Sequence, residues 1–387
     1  MFGADWDDIK SGKLTDVYFL RTKKILETKK INKKVVVEFI VKSFPPDYSW
    51  AVFSGLEECV EILKGIKGLN LWAVPEGTFF DVDQPVMVIE ARYQDFGIYE
   101  TALLGFLCHA SGIATKAARC KLAARNKPVY SFGARRIYPT IAPMVERNAY
   151  LGGCDGVACV KSAEVLNIEP VGTIPHALIL LIGDSAEATK AFDEVIEPKV
   201  KRIALIDTFG DEKFEAINVA QGLKGKLFGV RLDTPASRRG DFKKILQEVR
   251  WELDIRGYKD VKIIVSGGID EYKISELSDY VDAFGVGTSI SNAPVLDFAM
   301  DIVEIEGTPI AKRGKLSGRK RLVRCPQCLQ REVIYHTHPL PDCQKCQVKM
   351  EDILEGIISD GNQIKQLPDI NKSRQYVLNQ IKTISES

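Results

Sequence analysis

Short apolar runs alternate with amphipathic stretches over residues 128–292. The runs have the length of strands and few polar interruptions, which is typical of strands buried on both faces of a sheet. They are Val129–Phe132, Gly156–Val160, Glu169–Gly172, Arg202–Ile206, Leu227–Leu232, Val261–Val265 and Val281–Val286. Helical periodicity separates the runs, for example over Glu212–Leu223 and Asp241–Arg256. This series of β-then-α units predicts an α/β fold with a parallel sheet, closed or open into an irregular α/β barrel.

The first 115 residues follow a different pattern, which predicts an N-terminal α+β domain. Its elements are a strand over Lys34–Ser43, a helix over Phe53–Ile66, short strands within Leu71–Arg92 and a long helix over Ile98–Lys127. Within the long helix, the small residues Ser111 and Gly112 predict a break, since glycine disfavours the helix interior.

Changes in composition predict the remaining boundaries. The barrel is expected over 116–292, a basic linker over 293–324, and a zinc-knuckle-like module with a helical tail over 325–387. The N-terminal domain is also expected to recruit part of 293–324. The run Lys312–Arg324 holds seven basic residues and no acidic one, so it is either a solvated linker or a nucleic-acid contact. We favour the linker because no aromatic stacking platform accompanies it.

The composition is that of a soluble globular protein. Of 387 residues, 45% are hydrophobic and 27% are charged, which excludes a mainly disordered or collagen-like chain. Because Lys and Arg total 53 against 52 for Asp and Glu, no global charge drives binding to nucleic acid or membrane. No apolar run approaches the roughly 20 residues of a membrane helix. The acidic N-terminus lacks a secretory signal pattern, so a cytoplasmic protein is expected.

Polar residues and glycines follow the apolar core of the predicted barrel strands. They are Arg135, Arg136, Lys161, Thr173, His176, Asp207, Arg231, Asp233, Ser266, Gly267, Gly268, Gly285, Gly287 and Thr288. Because the carboxyl ends of barrel strands share one rim, we expect these residues to converge on an active site. The glycine turns follow the last two strands, where this architecture commonly binds phosphate. A turn in which glycine only supplies a positive φ is the alternative.

The cations in this set supply local positive charge. Arg135, Arg136, Lys161 and Arg231 can bind carboxylates or phosphates, although surface salt bridges are the alternative. We favour the site for Arg135 and Arg231, which directly follow or end a strand.

Two carboxylates and a histidine complete the predicted rim. Asp207 and Asp233 can bind sugar hydroxyls, or Mg²⁺ through water, and Asp207 can also cap a helix. His176 lies next to the predicted helix Ala177–Ile182 and is a candidate for acid–base or phosphoryl-acceptor chemistry. A packed, structural histidine is the alternative.

Four of the nine cysteines form two Cys-x2-Cys pairs. Cys325, Cys328, Cys343 and Cys346 have the spacing of a tetrahedral Zn²⁺ site. With four protein ligands no coordination position is open, so the zinc is expected to be structural. Replacement of one thiolate by His336 or His338 stays open as the less favoured ligand set.

The motifs, in this order, resemble those of type II phosphoribosyltransferases, and specifically of the nicotinate phosphoribosyltransferase family. The matching segments are Thr15-Asp16-Val17-Tyr18, Phe132-Gly133-Ala134-Arg135-Arg136, Asn148–Gly156, Gly172-Thr173-Ile174-Pro175-His176, Gly229-Val230-Arg231-Leu232-Asp233 and the two glycine turns. The resemblance covers roughly residues 10–295, and the cysteine pairs lie outside it.

This resemblance implies that nicotinate and phosphoribosyl pyrophosphate give nicotinate mononucleotide and pyrophosphate, a Mg²⁺-dependent step of NAD biosynthesis. It implies that the glycine turns, with Ser266 and Thr288, hold the 5′-phosphate. Asp207 and Asp233 would face the ribose or Mg²⁺, and Arg135 would face nicotinate or pyrophosphate. The resemblance implies that the pyridine ring is bound by Tyr18 from a partner subunit, Thr173 and Arg231, with Arg136 and Lys161 as further cations. A homodimer or higher homo-oligomer is therefore implied. His176 matches a histidine that ATP phosphorylates in many members of the family, and the use of ATP by this chain is left open.

Three alternatives stay open beside this activity. Quinolinate phosphoribosyl transfer is the closest rival, because Arg135, Arg136 and Lys161 could meet a second carboxylate. Nicotinamide is disfavoured, since Ile174 stands where the nicotinamide-using relatives carry a carboxylate. A zinc-containing RNA-binding or RNA-modifying protein, motivated by Lys312–Arg324, and a zinc-stabilised scaffold without catalysis belong to other classes.

Overall fold

The computed structural model describes residues 2–386, which divide into two compact units. The outer unit combines the described residues up to Thr115 with those from Pro294 onward, and the inserted unit spans Lys116–Ala293. Within residues 2–386, the helices are too short or too polar to cross a bilayer.

The strands are labelled in chain order. They are β1 (Lys34–Val41), β2 (Ala51–Val52), β3 (Asn70–Ala73), β4 (Phe79–Phe80), β5 (Met87–Arg92), β6 (Val129–Ser131), β7 (Gly156–Val157), β8 (Ile203–Leu205), β9 (Gly229–Leu232), β10 (Lys262–Val265), β11 (Ala283–Val286), β12 (Phe298–Ile305), β13 (Thr308–Pro309), β14 (Lys320–Arg324), β15 (Arg331–Tyr335), β16 (Glu351–Asp352), β17 (Glu355–Ser359) and β18 (Asn362–Gln363).

The α-helices follow the same convention. They are α1 (Trp6–Lys10), α2 (Val17–Thr28), α3 (Leu56–Leu63), α4 (Tyr93–Phe96), α5 (Glu100–Ala124), α6 (Ala142–Leu151), α7 (Val160–Leu166), α8 (His176–Ile182), α9 (Ser185–Val195), α10 (Glu212–Leu223), α11 (Ala236–Arg239), α12 (Phe242–Ile255), α13 (Glu271–Leu277), α14 (Thr288–Ser291) and α15 (Ile370–Glu386).

The outer unit is built on a seven-stranded sheet in the order β13-β12-β1-β5-β3-β17-β18, whose neighbours pair antiparallel. Strand β1 lies inside this sheet, between β12 and β5, and is apolar except for Lys34 and Glu38 and buried along nearly its whole length. Phe39 of β1, Leu71 of β3 and Ile89 of β5 lie in one core with Leu56 and Leu63 of α3. The sheet therefore collects strands from both ends of the chain.

The prediction of a basic linker over 293–324 is wrong. Phe298–Ile305 forms β12 and pairs with β1 over its length, with Phe298, Met300 and Val303 turned inward. Five of the seven cations in the basic run, Lys312, Lys315, Arg319, Lys320 and Arg321, pair with acidic residues of the same unit, and a composition count does not reveal this pairing. Lys312 Nζ lies 2.7 Å from Asp301 Oδ1, and Lys320 Nζ lies 2.8 Å from Glu38 Oε2.

The C-terminal segment is also less separate than the sequence predicts. Its four-cysteine module contains the small sheet β15-β14-β16. The predicted helical tail is present as α15. Between them, however, β17 pairs with β3 and extends the seven-stranded sheet of the outer unit, because its buried Ile357 and Ile358 complete the core there.

The inserted unit is an open parallel sheet of six strands in the order β7-β6-β11-β10-β9-β8. Six of the predicted apolar runs form strands, and the prediction of a seventh over Glu169–Gly172 is wrong. Pro170 has no N–H to donate to a ladder, and Val171 makes one backbone bond, to Val157 O at 2.8 Å. The half-barrel therefore stays open between β7 and β8, rather than closing.

The predicted break in the long helix is absent, since α5 runs unbroken from Glu100 to Ala124. Ser111 instead serves packing: its hydroxyl accepts from Ser54 N at 3.0 Å and donates to Ser54 O. Gly112 lies directly against the Pro294 carbonyl oxygen, where a Cβ would overlap it. The cost of one helical glycine, about 1 kcal/mol, is offset by this close packing.

We expect Gly112→Ala to lower the unfolding temperature, because the added methyl forces Pro294 and its neighbours apart. The expected cost is about 1–3 kcal/mol, as for other overpacked sites, and thermal denaturation followed by circular dichroism measures it. Gly105→Ala on the same helix is the matched control: it has open space around it and should leave stability unchanged or raise it. Equal effects of the two variants would contradict the packing role of Gly112.

Candidate active site

Three neighbouring strands of the inserted unit end next to one another and carry the acidic residues of the predicted rim. Asp207 follows β8, Asp233 follows β9 and Ser266 follows β10. Since these strands are parallel and adjacent, their carboxyl ends lie along one edge of the sheet. The side chains after them therefore face one another across short distances.

Asp207 pairs with His176, the first residue of α8. His176 Nε2 lies 3.3 Å from each carboxylate oxygen, and the imidazole is 40% exposed whereas Asp207 is 3% exposed. Burial raises the pKa of the Asp207 carboxyl, while His176 and the Asp233 backbone N–H lower it. The arrangement leaves an accessible imidazole oriented by a buried carboxylate.

Asp233 is tied to the first glycine turn. The Ser266 hydroxyl donates to Asp233 Oδ1 at 2.7 Å. Gly267 and Gly268 have φ angles of +75° and +61°, and a Cβ on Gly267 would lie 2.7 Å from Asp233 Oδ1. Glycine is required here both for the backbone conformation and for this approach.

The second glycine turn packs beside the first. A Cβ on Gly285 would lie 2.5 Å from the Phe132 ring and 3.2 Å from Ser266 Cβ. The residues that follow β6 and β10 therefore pack against Gly285. Gly287 follows, and Thr288 opens the short helix α14 with its side chain exposed. The two turns form a cradle, with the Phe132 ring, the Asp233 carboxylate and the Arg239 guanidinium packed against its glycines.

Four buried polar atoms near these loops have no hydrogen-bond partner among residues 2–386. They are Thr173 Oγ1, Asp207 Oδ1, Thr208 Oγ1 and Arg231 Nε. Burial lowers the pKa of the Arg231 guanidinium. The charges of Asp233 and Asp207 raise this pKa, and the charge of Arg135 lowers it. Because buried polar atoms are nearly always satisfied, such a group calls for a bound water, an ion or ligand atoms.

The other predicted site residues are mostly exposed. Lys161 is exposed on α7, where its Nζ pairs with Glu164 at 2.7 Å. Arg135 and Arg136 are both exposed, and Arg135 is linked to the cluster by its charge acting on Arg231. Tyr18 belongs to the outer unit, in α2, and half of its side chain is exposed.

Sequence reasoning missed two residues of the inserted unit. Glu146 of α6 is fully buried and accepts from Cys159 N at 3.0 Å and Ala158 N at 3.3 Å, which ties α6 to the end of β7. Arg239 bridges the loops after β9 and β10. The basic pair of Arg238 and Arg239, placed shortly after a strand-end aspartate, was the signal available for the second.

The four cysteines of the paired motifs form a separate cluster in the outer unit. Their Sγ atoms all lie within 4.8 Å of one another, and those of Cys328 and Cys343 are 3.6 Å apart. A tetrahedral site with Zn–S bonds of about 2.3 Å needs S···S distances near 3.8 Å. The donor set and spacing therefore fit Zn²⁺.

The two cysteine turns have the same backbone form. Cys325 N donates to Gln330 O at 2.8 Å, and Cys343 N donates to Val348 O at 2.8 Å. The fourth residue after each of these cysteines, Leu329 and Gln347, has a positive φ of +60° and +56°. Both turns thus direct two thiols toward one point.

Comparison with known families matches both units. The description "Quinolinate phosphoribosyl transferase, C-terminal domain" matches residues 113–301, and the N-terminal domain of the same family matches residues 16–111. A crystal structure of nicotinate-nucleotide pyrophosphorylase from Pyrococcus furiosus is 55% identical, covers 99% of this chain and 98% of its own, and superposes with a TM-score of 0.97.

Relatives with curated names are nicotinate phosphoribosyltransferases. One from Mycobacterium tuberculosis, pncB2, is 28% identical over 95% of this chain and 86% of its own length. One from Bacillus subtilis is 30% identical over 71% of this chain and 62% of its own length. The human nicotinic acid phosphoribosyltransferase structure shares the fold, with a TM-score of 0.75 at 17% identity over 96% of this chain and 94% of its own.

We expect Asp207→Asn to raise the unfolding temperature at pH 8. A carboxyl whose pKa is raised in the folded state destabilises the fold wherever it is ionised there, and Asn removes that charge. The difference between variant and wild type should shrink as the pH falls toward the ordinary value of 3.8, where both are uncharged. Thermal unfolding from pH 8 to pH 4 measures it.

The matched control is Asp241→Asn, at the exposed N-cap of α12, where Asn caps equally well and stability should not change. A lower unfolding temperature for Asp207→Asn at pH 8 would mean that the His176 contact outweighs the burial of the charge.

Proposed function

This chain belongs to the type II phosphoribosyltransferase family, which includes the nicotinate and quinolinate enzymes, and we propose that it transfers phosphoribosyl from phosphoribosyl pyrophosphate to nicotinate. The products are nicotinate mononucleotide and pyrophosphate, in NAD biosynthesis. The observation that carries the proposal is the cluster of Asp207, Asp233, Ser266 and Gly267, in which two strand-end carboxylates adjoin a glycine cradle. The names of the curated relatives support nicotinate as the acceptor.

The 5′-phosphate binds in the cradle. Gly268 and Gly287 have open space beside them, so an anion can approach the N–H groups there closely, whereas Gly267 and Gly285 allow the close packing that shapes the two turns. Ser266 supports this loop through its bond to Asp233, and the Thr288 hydroxyl is exposed beside Gly287.

In the reaction, the bond from ribose C1 to the pyrophosphate oxygen breaks and a bond from C1 to the pyridine nitrogen forms. The transition state resembles an oxocarbenium ion, so positioning and charge stabilisation dominate. Asp207 and Asp233 face the ribose hydroxyls and the developing positive charge. The unpartnered Asp207 Oδ1 fits a hydroxyl or a Mg²⁺-bound water. When bound with the substrate, Mg²⁺ supplies charge neutralisation for the leaving pyrophosphate, and Arg135 adds to it.

The nicotinate carboxylate binds at Arg231 and Thr173, whose Nε and Oγ1 are buried without partners. Tyr18 of a second subunit stacks on the pyridine ring, which makes a homodimer or higher homo-oligomer the working assembly. Arg136 and Lys161 are more distant cations that attract the anionic substrates.

His176 is the group through which ATP would act. Its Nε2 is held by Asp207, so Nδ1 is left to accept a phosphoryl group as the P–O bond to ADP breaks. The 40% exposure of the imidazole permits this approach. ATP coupling is part of the proposal, and a measurement of ADP release tests it.

Quinolinate is the second candidate acceptor, because the matching domain descriptions carry its name. It has two carboxylates and needs a second cation at the pyridine. Arg135, Arg136 and Lys161 are all exposed, and Lys161 pairs with Glu164, so Arg231 is the mostly buried cation of the predicted set, which favours the monocarboxylate. An RNA-binding role is disfavoured, since Lys312 and Lys320 pair internally with Asp301 and Glu38.

The test is an assay of purified protein with phosphoribosyl pyrophosphate, Mg²⁺ and each of nicotinate, quinolinate and nicotinamide, with and without ATP. We expect pyrophosphate release and nicotinate mononucleotide with nicotinate, and ADP release when ATP is added. Carbon dioxide release from quinolinate, with no turnover of nicotinate, would overturn the proposal.

Two histidine variants serve as controls. His176→Ala should lower turnover by at least about 100-fold, the lower range for an acid–base or nucleophilic group, an effect far larger than its effect on the unfolding temperature. His338→Ala, exposed in the four-cysteine module, should keep full activity. Equal rates of His176→Ala and wild type would assign the imidazole to packing.

We further propose that Cys325, Cys328, Cys343 and Cys346 hold one structural Zn²⁺. The small core around them contains few apolar side chains, chiefly Val323, Ile334 and Met350, so burial alone gives the module little stability. A tetrathiolate metal would supply the rest and would leave no coordination position for chemistry.

Elemental analysis of purified protein should find about one zinc per chain, and Cys343→Ser should lose it and unfold at a lower temperature. Cys108→Ser, a half-buried cysteine outside the cluster, should retain the zinc. Zinc-free wild-type protein with unchanged stability would exclude the structural metal.

A further inference from the structure

We propose that Arg239 is the residue that fixes the phosphate cradle and donates to the anion bound in it, an inference that rests on the proposed function. Arg239 ends the short helix α11, outside every motif that carries the family resemblance. Its role is argued from its contacts with the loops after β9 and β10.

The Arg239 guanidinium binds backbone carbonyls of both loops. Nε donates to Thr234 O at 2.6 Å, and Nη2 donates to Ser266 O at 3.1 Å and to Gly267 O. Each of these carbonyls lies next to Asp233 or within the first glycine turn. Because one rigid, planar group holds all three, the two loops are fixed relative to each other.

The charge of Arg239 is not consumed by these contacts. Within residues 2–386, no carboxylate lies at salt-bridge distance from it, and its acceptors are neutral carbonyls. Asp233 and Asp207 act on it only through longer-range attraction, and burial lowers its pKa. The Phe242 ring, 4.6 Å away, covers part of the guanidinium. A positive charge is thus available to an anion beside the cradle.

One donor remains for that anion. Nη1 makes no hydrogen bond to a described residue, and it would lie 4.0 Å from a Cβ built on Gly268. Gly268 has no side chain, so the space between its Cα and Nη1 is open. A phosphate oxygen seated on the Gly267 and Gly268 turn can therefore accept from Nη1, a charge-assisted bond of the strong class.

This arrangement predicts a selective effect on one substrate. Loss of the guanidinium should weaken binding of phosphoribosyl pyrophosphate, because both the loop geometry and one donor are lost. The nicotinate carboxylate binds at Arg231, so its KM should change little. A purely structural arginine would instead affect both substrates together.

The experiment compares Arg239→Gln and Arg239→Lys with Arg238→Gln in the full-length protein. Arg238 is the adjacent, exposed arginine and serves as the matched control. For Arg239→Gln we expect the KM and the calorimetric Kd for phosphoribosyl pyrophosphate to rise about 10- to 100-fold, as for loss of a hydrogen bond to a charged group. The KM for nicotinate should stay near wild type, whereas the unfolding temperature should fall because three loop carbonyls lose their donor.

Arg239→Lys keeps the charge without the planar fork, so it should fold and give an intermediate Kd. Unchanged phosphoribosyl pyrophosphate affinity in both Arg239 variants would overturn the inference, as would parallel losses of affinity for both substrates.

Calorimetry separates this inference from the proposed function. Wild-type protein that binds phosphoribosyl pyrophosphate but does not turn over nicotinate would refute the activity and leave the Arg239 inference testable. Wild-type protein that does not bind it would overturn both.

Discussion

The hydrogen bond between Ser266 and Asp233 is the interaction on which the site depends. It joins the ends of two adjacent strands, and it exists only because Gly267 brings its backbone against the carboxylate. A larger residue at 267 would push the Asp233 carboxylate away from the glycine turn. Asp207 and His176 extend the same line by one further strand, so the order of strands in the sheet sets the order of the polar groups along its edge.

Much of the inserted unit could be predicted from the sequence, because its signals are local. Continuous apolar runs such as Val261–Val265 have few structures open to them besides a buried strand, and the strand ends then locate Asp233 and Ser266. The open edge could not be predicted from the same pattern. The run Glu169–Gly172 has the same pattern as the other runs. The missing N–H of Pro170 disfavours a strand only where the run must pair with a neighbouring strand, and the sequence does not show which strands are neighbours.

Other errors came from non-local contacts. The basic run after Ala293 was interpreted from its charge alone. In the structure, Lys312 pairs with Asp301, which is close in sequence, and Lys320 pairs with Glu38, which is far away in sequence. Arg239 was missed because its partners are backbone carbonyls, and carbonyls carry no sequence signature. The prediction of a break at Gly112 was also wrong because of a non-local contact. Glycine is needed there because Pro294, almost two hundred residues away, packs against it.

The division of the outer sheet between the two ends of the chain has a consequence for synthesis. Strand β1 needs β12, and β3 needs β17, yet both partners leave the ribosome only after the whole inserted unit. The inserted unit is contiguous and can fold while translation continues, whereas the N-terminal strands must wait with unpaired edges. Premature termination after Ala293 would therefore yield a folded parallel sheet carrying an incomplete, aggregation-prone partner.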